Sequence, residues 1–324
     1  MNPTFRIGFL DYADTTSALH LKNSRPTVDG WAIKNTVPNT LLVTAILLTG
    51  MFFLFLTLEG RTPLRSRTHA LLPRLLLNLV VAGLAFLTAA LCIRPVVTSL
   101  LNRAGAESFG VLHIIPLSSA VQCVVGFLLM DLSFYYWHIA NHRVAFLWRF
   151  HNVHHFDPEL DVSTAVRFHF GEVALSAVFR VIQVTVIGPS AWTYVVYELA
   201  FQANTLFHHS NVRLPIGLER VMNWVLVTPR MHGIHHSQVR DETNSNYSVV
   251  FSWWDRLHRS VGLDIPQSAI VIGVPGYSQP ADNHLWNVFV TPFQRQRAYW
   301  RDAGDPAIAI RSRSRKATRH RLAD

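Results

Sequence analysis

Histidine spacing is the first chemical signal in this chain. His138-x-x-x-His142 is followed by His151-x-x-His154-His155, and the second pattern returns as His232-x-x-His235-His236. On a helix, side chains three and four residues apart stand on one face about one turn from each other. An i, i+4 pair of imidazoles can therefore grip one metal ion, and an i, i+3, i+4 trio can reach two. Of 17 histidines, 11 fall between His138 and His236. A lone histidine here is more often hydrogen-bonded or interfacial than a ligand. Three clusters change the balance. Adjacent buried imidazoles repel one another when protonated, and neutral imidazole is a natural ligand. The pattern reads as a two-metal site built from histidine; an imidazole field suits iron, zinc or copper, and the ligand count does not choose among them.

The elements that must position these residues belong to a membrane protein. Half of the 324 residues are hydrophobic and 15% are charged. Leu41 to Leu58 is a first apolar span, ended by Glu59-Gly60-Arg61, and a second runs from Leu75 to Ile93, closed by Arg94-Pro95. A third, Val111 to Trp137, delivers the chain straight to His138. A crossing needs about 20 largely apolar residues. From Val173 to Phe207 the chain is apolar again, interrupted by Gly188-Pro189-Ser190. A single crossing there would put the His232 cluster on the opposite face from the His151 cluster. The shared-site reading therefore predicts a hairpin broken near Gly188-Pro189, since proline cannot continue a helix without losing a bond. Each arm is about 15 residues, short for a full span, so the expected count is three crossings plus a hairpin, or nearer five.

Charge sets the expected orientation. Arg61, Arg65, Arg67 and Arg74 follow the first span with Glu59 against them, so this loop and the histidine clusters are predicted to be cytoplasmic. The net charge of +9 lies beside apolar segments and in a tail of Arg311, Arg313, Arg315, Lys316, Arg319 and Arg321, which fits lipid headgroups better than nucleic acid. Residues 1–38 lack the apolar core of a cleaved signal peptide. Cys92 and Cys123 lie in apolar runs and indicate neither disulfides nor thiolate ligation. The expected fold is all-α, an integral membrane helical bundle with a cytoplasmic histidine-rich helical cap holding a dinuclear metal site. Its parts are a polar segment at 1–38, transmembrane helices at 39–137, a histidine-rich catalytic domain at 138–262 with the hairpin at about 173–207, and a C-terminal segment at 263–324.

Rival chemistries fit less well. A zinc peptidase of the zincin type needs His-Glu-x-x-His, whereas Asn152-Val153 and Gly233-Ile234 follow the first histidines here. A metal transporter or sensor would bury its ligands at mid-membrane, but these clusters sit at span edges amid Arg143, Arg149 and Arg230.

Beyond the histidines, further ordered matches run over about residues 120–262. They are Asp131 with Tyr135-Tyr136-Trp137-His138, Leu147-Trp148-Arg149-Phe150-His151, Arg167-Phe168-His169 with Glu172, and Phe207-His208-His209-Ser210-Asn211. Thr228-Pro229-Arg230-Met231-His232, Asn246-Tyr247 and Trp254-Asp255-Arg256-Leu257 complete them. In these the chain resembles the fatty acid hydroxylase / sterol desaturase superfamily of membrane di-iron oxygenases. It departs from the family at Phe170, at Ser248 and at His258-Arg259-Ser260, none of them a predicted ligand, and these departures leave the subgroup and the substrate open.

The resemblance implies that His138, His142, His151, His154, His155, His232, His235 and His236 ligate two iron ions, with zinc a possible substitute. It adds His209 as the ninth ligand, with His208 as the alternative or a supporting partner. His169 and Glu172 are the implied catalytic residues outside the ligand set, while Asp131, Asp241 and Asp255 are candidates to orient ligand imidazoles. The implied reaction is O2-dependent hydroxylation or desaturation of an unactivated C–H bond in a fatty acyl, sterol or related lipid from the bilayer, in lipid biosynthesis. No nucleotide motif, haem attachment or ferredoxin cysteine set is visible. An external donor of ferredoxin or cytochrome type, with its reductase, is therefore implied, and a bacterial inner membrane is favoured over endoplasmic reticulum.

Overall fold

The computed structural model describes residues 30–300, with side chains from residue 42. The polar start of the chain and the basic tail after residue 300 lie outside the described residues. The chain divides into units of residues 1–44 and 45–324, and the packing and the site described below lie in the second. Helix α1 is Gly30–Arg61, α2 Leu71–Thr88, α3 Arg94–Glu107 and α4 Ser119–Arg143. Next come α5 Ala145–His155, α6 Phe170–Ile187 and α7 Ala191–His209. Short helices finish the cap: α8 Ile216–Met222, α9 Pro229–His235, α10 Arg240–Thr243, α11 Trp253–Leu257 and α12 Leu285–Val290. Only isolated bridges, and no strands, occur among the described residues.

Among the described residues, four helices are long and apolar enough to cross a membrane: Leu42–Arg61, Leu71–His113, Ser119–Arg143 and Phe170–Ile187. Leu72, Leu76, Phe86 and Leu91 on the second, and Val178, Ile182 and Val186 on α6, are exposed. Such apolar surface needs lipid to cover it, and the protein is an integral membrane protein.

Two span boundaries differ from those expected. The second span does not close at Arg94-Pro95. A π-helical turn at Ala89–Ile93 joins α2 to α3, and the helix runs on to Glu107. Pro95 sits in the first turn of α3, where its missing N–H costs little, and the wider turn before it absorbs the break in the ladder. The third span begins later than Val111, at Ser119, where Ser118 caps the helix by accepting from the Val121 N–H. Pro116 keeps the preceding segment out of the helix.

The hairpin forms where expected, but its arms are longer. Gly188 ends α6 in the left-handed conformation at φ +67°, and Ser190 starts α7 by accepting from the Thr193 N–H at 3.1 Å. The arms have 18 and 19 residues, because α6 begins at the His169 cap and α7 runs on to His209. At the turn, Gly110 (φ +91°) lies so close that a Cβ on it would stand 2.5 Å from the Gly188 nitrogen. Gly110→Ala is expected to cost about 2–4 kcal/mol through left-handed strain plus overlap. Melting of the purified protein checks this, and an unchanged midpoint would mean that the two turns can separate.

The loop between α1 and α2 and the first turn of α2 pack inward against the cap. Arg65 Nη1 donates to Gln267 Oε1 at 2.7 Å, and Arg74 donates to both oxygens of Asp157 at 2.9 and 2.8 Å. An aromatic and aliphatic core of Val81, Trp148, Val153, Phe156, Val274, Tyr277 and Val288 ties α2 and α5 to the C-terminal segment.

Candidate metal centre

Four helices bring nine imidazoles into two adjoining groups. His138 and His142 come from the end of α4, His151, His154 and His155 from α5, His209 from the end of α7, and His232 and His235 from α9 with His236 just beyond it. One group is His138, His142, His151, His155 and His235; the other is His154, His209, His232 and His236. Within each, one ring nitrogen per residue lies within 4.8 Å of all the others. Each His-x-x-His-His trio is split. Its i, i+4 members enter one group and its i+3 member the other, because a shift of one residue turns a side chain by about 100° around the helix. His155 and His236, in different groups, stack at 4.3 Å.

The outer nitrogens fix the tautomers. His138 Nδ1 faces the Tyr247 carbonyl at 2.7 Å, His209 Nδ1 the Thr205 carbonyl at 2.8 Å, and His235 Nδ1 the Ser245 carbonyl at 2.7 Å. His154 Nδ1 faces the Arg167 carbonyl at 3.3 Å, and His151 Nδ1 the Glu172 carboxylate at 2.8 Å. A carbonyl or carboxylate oxygen only accepts, so each Nδ1 carries the proton and each Nε2 a lone pair. Yet Nε2 faces Nε2 at 3.3 Å between His151 and His138, and at 3.0 Å between His209 and His154. Two lone pairs cannot bond to each other. They can both bond to a cation between them. Metal–nitrogen bonds of about 2.0–2.1 Å put ligand nitrogens about 2.8–3.4 Å apart for right-angle to tetrahedral geometry. The 3.0 and 3.2 Å contacts of His232 Nε2 with His209 and His236 agree.

Other donors are orphaned in the same sense. His142, His155 and His235 keep buried Nε2 atoms without hydrogen-bond partners. Burial, reinforced by the neighbouring imidazoles, holds His154, His155, His232 and His236 well below the ordinary histidine range. Burial takes His235 to about 3 even though its bond to Ser245 pulls the other way. All five are neutral at pH 7, the state that binds metal. The donor set therefore fits two metal ions.

The carboxylate that bonds a clustered imidazole is Glu172, expected as a catalytic residue, whereas the orienting candidates Asp131 and Asp255 bond elsewhere. Asp131 accepts from the Phe251 N–H at 3.0 Å and from Trp254 Nε1 at 2.7 Å. Asp255 accepts from the N–H groups of Tyr247 and Ser248, each at 2.9 Å. It thereby holds the strand of chain whose Tyr247 carbonyl meets His138. Asp241 is exposed on α10. His169 is turned away from both groups. Its Nδ1 accepts from the Gly171 N–H at 2.9 Å to cap α6, and its Nε2 donates to the Phe289 carbonyl at 3.0 Å. His208 sits beside His232, rings 4.1 Å apart, but outside both groups. The carbonyls that set the tautomers carry no side-chain signature, so no motif could have revealed them.

Glu172→Ala removes the acceptor that orients His151 and is expected to lower metal affinity or turnover about 10–100-fold, with Glu172→Gln largely restoring both. Metal content after graded chelation is the check. Equal retention in Glu172→Ala and wild type would remove Glu172 from this role.

A small pocket of about 40 Å³ opens under the imidazoles, lined by Phe134, Phe168, Glu172, Phe201, Thr205 and His208 besides the clustered histidines.

A helical membrane protein with paired all-histidine groups that could hold metal is thus defined by geometry alone. Residues 123–260 match the fatty acid hydroxylase family, and both clusters lie inside the match. The chain is 29% identical over 157 residues to ornithine lipid hydroxylase OlsE of Rhizobium tropici, covering 48% of this chain and 46% of that one. Against alkylglycerol monooxygenase of Danio rerio it is 29% identical over 197 residues, 59% of this chain and 41% of the relative. Against human cholesterol 25-hydroxylase it is 26% identical over 133 residues, 40% of this chain and 47% of the relative. The chain thus spans less than half the length of these relatives. No solved structure matches it.

Proposed function

We propose that this chain is a membrane-bound oxygenase that uses O2 and electrons from an external donor to hydroxylate or desaturate a lipid C–H bond. The observation that carries the reading is the pairing of nine buried or half-buried imidazoles in two adjoining groups beside a pocket lined by Phe134, Phe168 and Phe201. The relatives named above, an ornithine lipid hydroxylase, an alkylglycerol monooxygenase and a cholesterol hydroxylase, support a lipid as the substrate.

His138, His142, His151, His155 and His235 would hold one ion, and His154, His209, His232 and His236 the other. Two iron ions are the pair that would supply reductive O2 activation when bound. The chain itself does the rest. Backbone carbonyls and Glu172 keep Nδ1 of His138, His151, His154, His209 and His235 protonated, so that their Nε2 atoms are lone-pair donors. Phe134, Phe168 and Phe201 exclude water from the reacting carbon and position the hydrocarbon chain, a role apolar aromatics suit. The same reading places the clusters on the cytoplasmic side, in a bacterial inner membrane. In support, Arg65 and Arg74 fold the loop after the first span onto the cap.

The test is mass spectrometry of lipids from cells with and without the gene, joined to metal analysis of the purified protein. A gain of one oxygen or loss of two hydrogens, dependent on O2 and reductant, with iron near two per chain, is expected. Bound zinc with no O2-dependent product would overturn the reading in favour of a hydrolase or a transporter.

A further inference from the structure

A second cavity of about 220 Å³ lies behind the metal pocket and shares Phe134, Phe168, Phe201, Glu172 and Thr205 with it. Ala89 and Ile93 of the π-helical turn form part of its wall, as does the exposed Phe86. Arg180 of α6 and Glu198 of α7 also line it, with Nη2 and Oε1 2.8 Å apart. Arg180 is ten residues past the start of an 18-residue helix, about 15 Å along it at 1.5 Å per residue. That is mid-span. Its guanidinium stands 5.5 Å from the Phe134 ring centroid and 5.7 Å from that of Phe201, and these rings are 4.4 Å apart. One aromatic layer separates the charge pair from the metal pocket.

The plain reading is a clamp between α6 and α7. Its energetics are poor, since apolar side chains of similar volume commonly hold a buried contact as well as an ion pair does. Charges within the bilayer are costly and tend to mark substrate paths. The arrangement is also built for presentation. Arg180 Nη1 donates to Gln183 Oε1 at 2.7 Å, while Gln183 Nε2 donates to the Met130 carbonyl at 3.0 Å and to Ser133 Oγ at 2.8 Å. The guanidinium is thus fixed from behind by α4. The Glu198 side chain keeps 26% exposure in a wall that is otherwise largely aromatic and aliphatic.

Resting on the lipid-oxygenase reading, the geometry points to Arg180 and Glu198 as the site that recognises the substrate's polar group. The favoured substrate is then a lipid with a hydrogen-bonding oxygen function, such as a hydroxyl, ether or amide, set close to the carbon presented to the metals. An unbroken hydrocarbon chain would be disfavoured. The guanidinium donates to the oxygen lone pair, and Glu198 accepts from an O–H or N–H where the group has one. Leaving the pair buried against a plain chain forfeits those bonds, which is how a polar site rejects an apolar analogue.

The full-length, metal-loaded protein in lipid nanodiscs tests this with radiolabelled octadecan-1-ol and octadecane as probes. Wild type is expected to bind the alcohol at least about tenfold more tightly. The double substitution Arg180→Met, Glu198→Leu removes both charges together. It is expected to bring the two affinities within about twofold while metal content and melting midpoint stay at wild-type values. If the double variant does not fold, Glu198→Ala alone is read by the same ratio, which should fall. A wild-type protein without preference, or a folded variant that keeps it, overturns the inference. Lipid oxidation without a binding preference would sink this assignment alone; a preference without O2-dependent product on any lipid would sink the oxygenase reading instead.

Discussion

His236→Ala protein is expected to emerge from expression with one metal ion missing and activity at least about 100-fold down, because even the outer partners of metal-bound histidines are worth about 10–100-fold. His236 belongs to the smaller group, with His154, His209 and His232. Its loss leaves three imidazoles there and five in the other group. His142→Ala, by contrast, leaves four donors in each. It should keep more of its metal than His236→Ala, although its activity also falls. Metal-to-protein ratios for the two variants give the ordering directly. Equal and full occupancy in both would mean that the clustered rings are packing rather than ligation. Retained occupancy in His236→Ala with loss in His142→Ala would mean that the groups are not independent sites.

Asp157→Ala is expected to cost about 3–5 kcal/mol and to lower the melting midpoint on the order of 10 °C. Asp157 follows α5 directly after the histidine trio and is fully buried. It accepts from Arg74, from Asn78 Nδ2 at 2.9 Å and from Thr164 Oγ1 at 2.9 Å. Arg167, also fully buried, donates Nε to the Val153 carbonyl at 2.9 Å and Nη1 to Asn78 Oδ1 at 3.0 Å. Removing the carboxylate leaves Arg74 with Asp161 as its remaining anion and the buried Arg167 guanidinium beside it with no carboxylate partner among the described residues. Burial alone would raise the Asp157 pKa, but Arg74 and Arg167 outweigh it and hold the carboxyl below its ordinary value. Its contribution is therefore complete above about pH 4, the unfolded value, and is lost as the pH falls through the lower folded one. The melting midpoint of Asp157→Ala above pH 5 should consequently differ from wild type by a constant amount. A midpoint equal to wild type would show that the arginines find other partners.

Much of the centre is legible in the chain because helical geometry converts spacing directly into position. His151, His154 and His155 lie on one helix, so their separation dictates that two ions can be served. The hairpin followed from topology, since two trios on opposite membrane faces could not meet, and Gly188-Pro189 marked where the chain could turn. The π turn at Ala89–Ile93 was not legible. Arg94-Pro95 reads as an end, and only packing of α2 and α3 against α6 keeps the helix going.

The sequence alone determined which residue types could bind metal, that the chain would carry several apolar spans and that the fold would be helical, because these depend on local periodicity and on transfer of apolar segments out of water. Tertiary structure decided which of two groups each clustered histidine joins, that His209 rather than His208 lies within them, and that His169 caps a helix. It also assigned the backbone carbonyls of Thr205, Ser245 and Tyr247 to the imidazoles. Those assignments depend on distances between helices far apart in the chain, which no local pattern encodes.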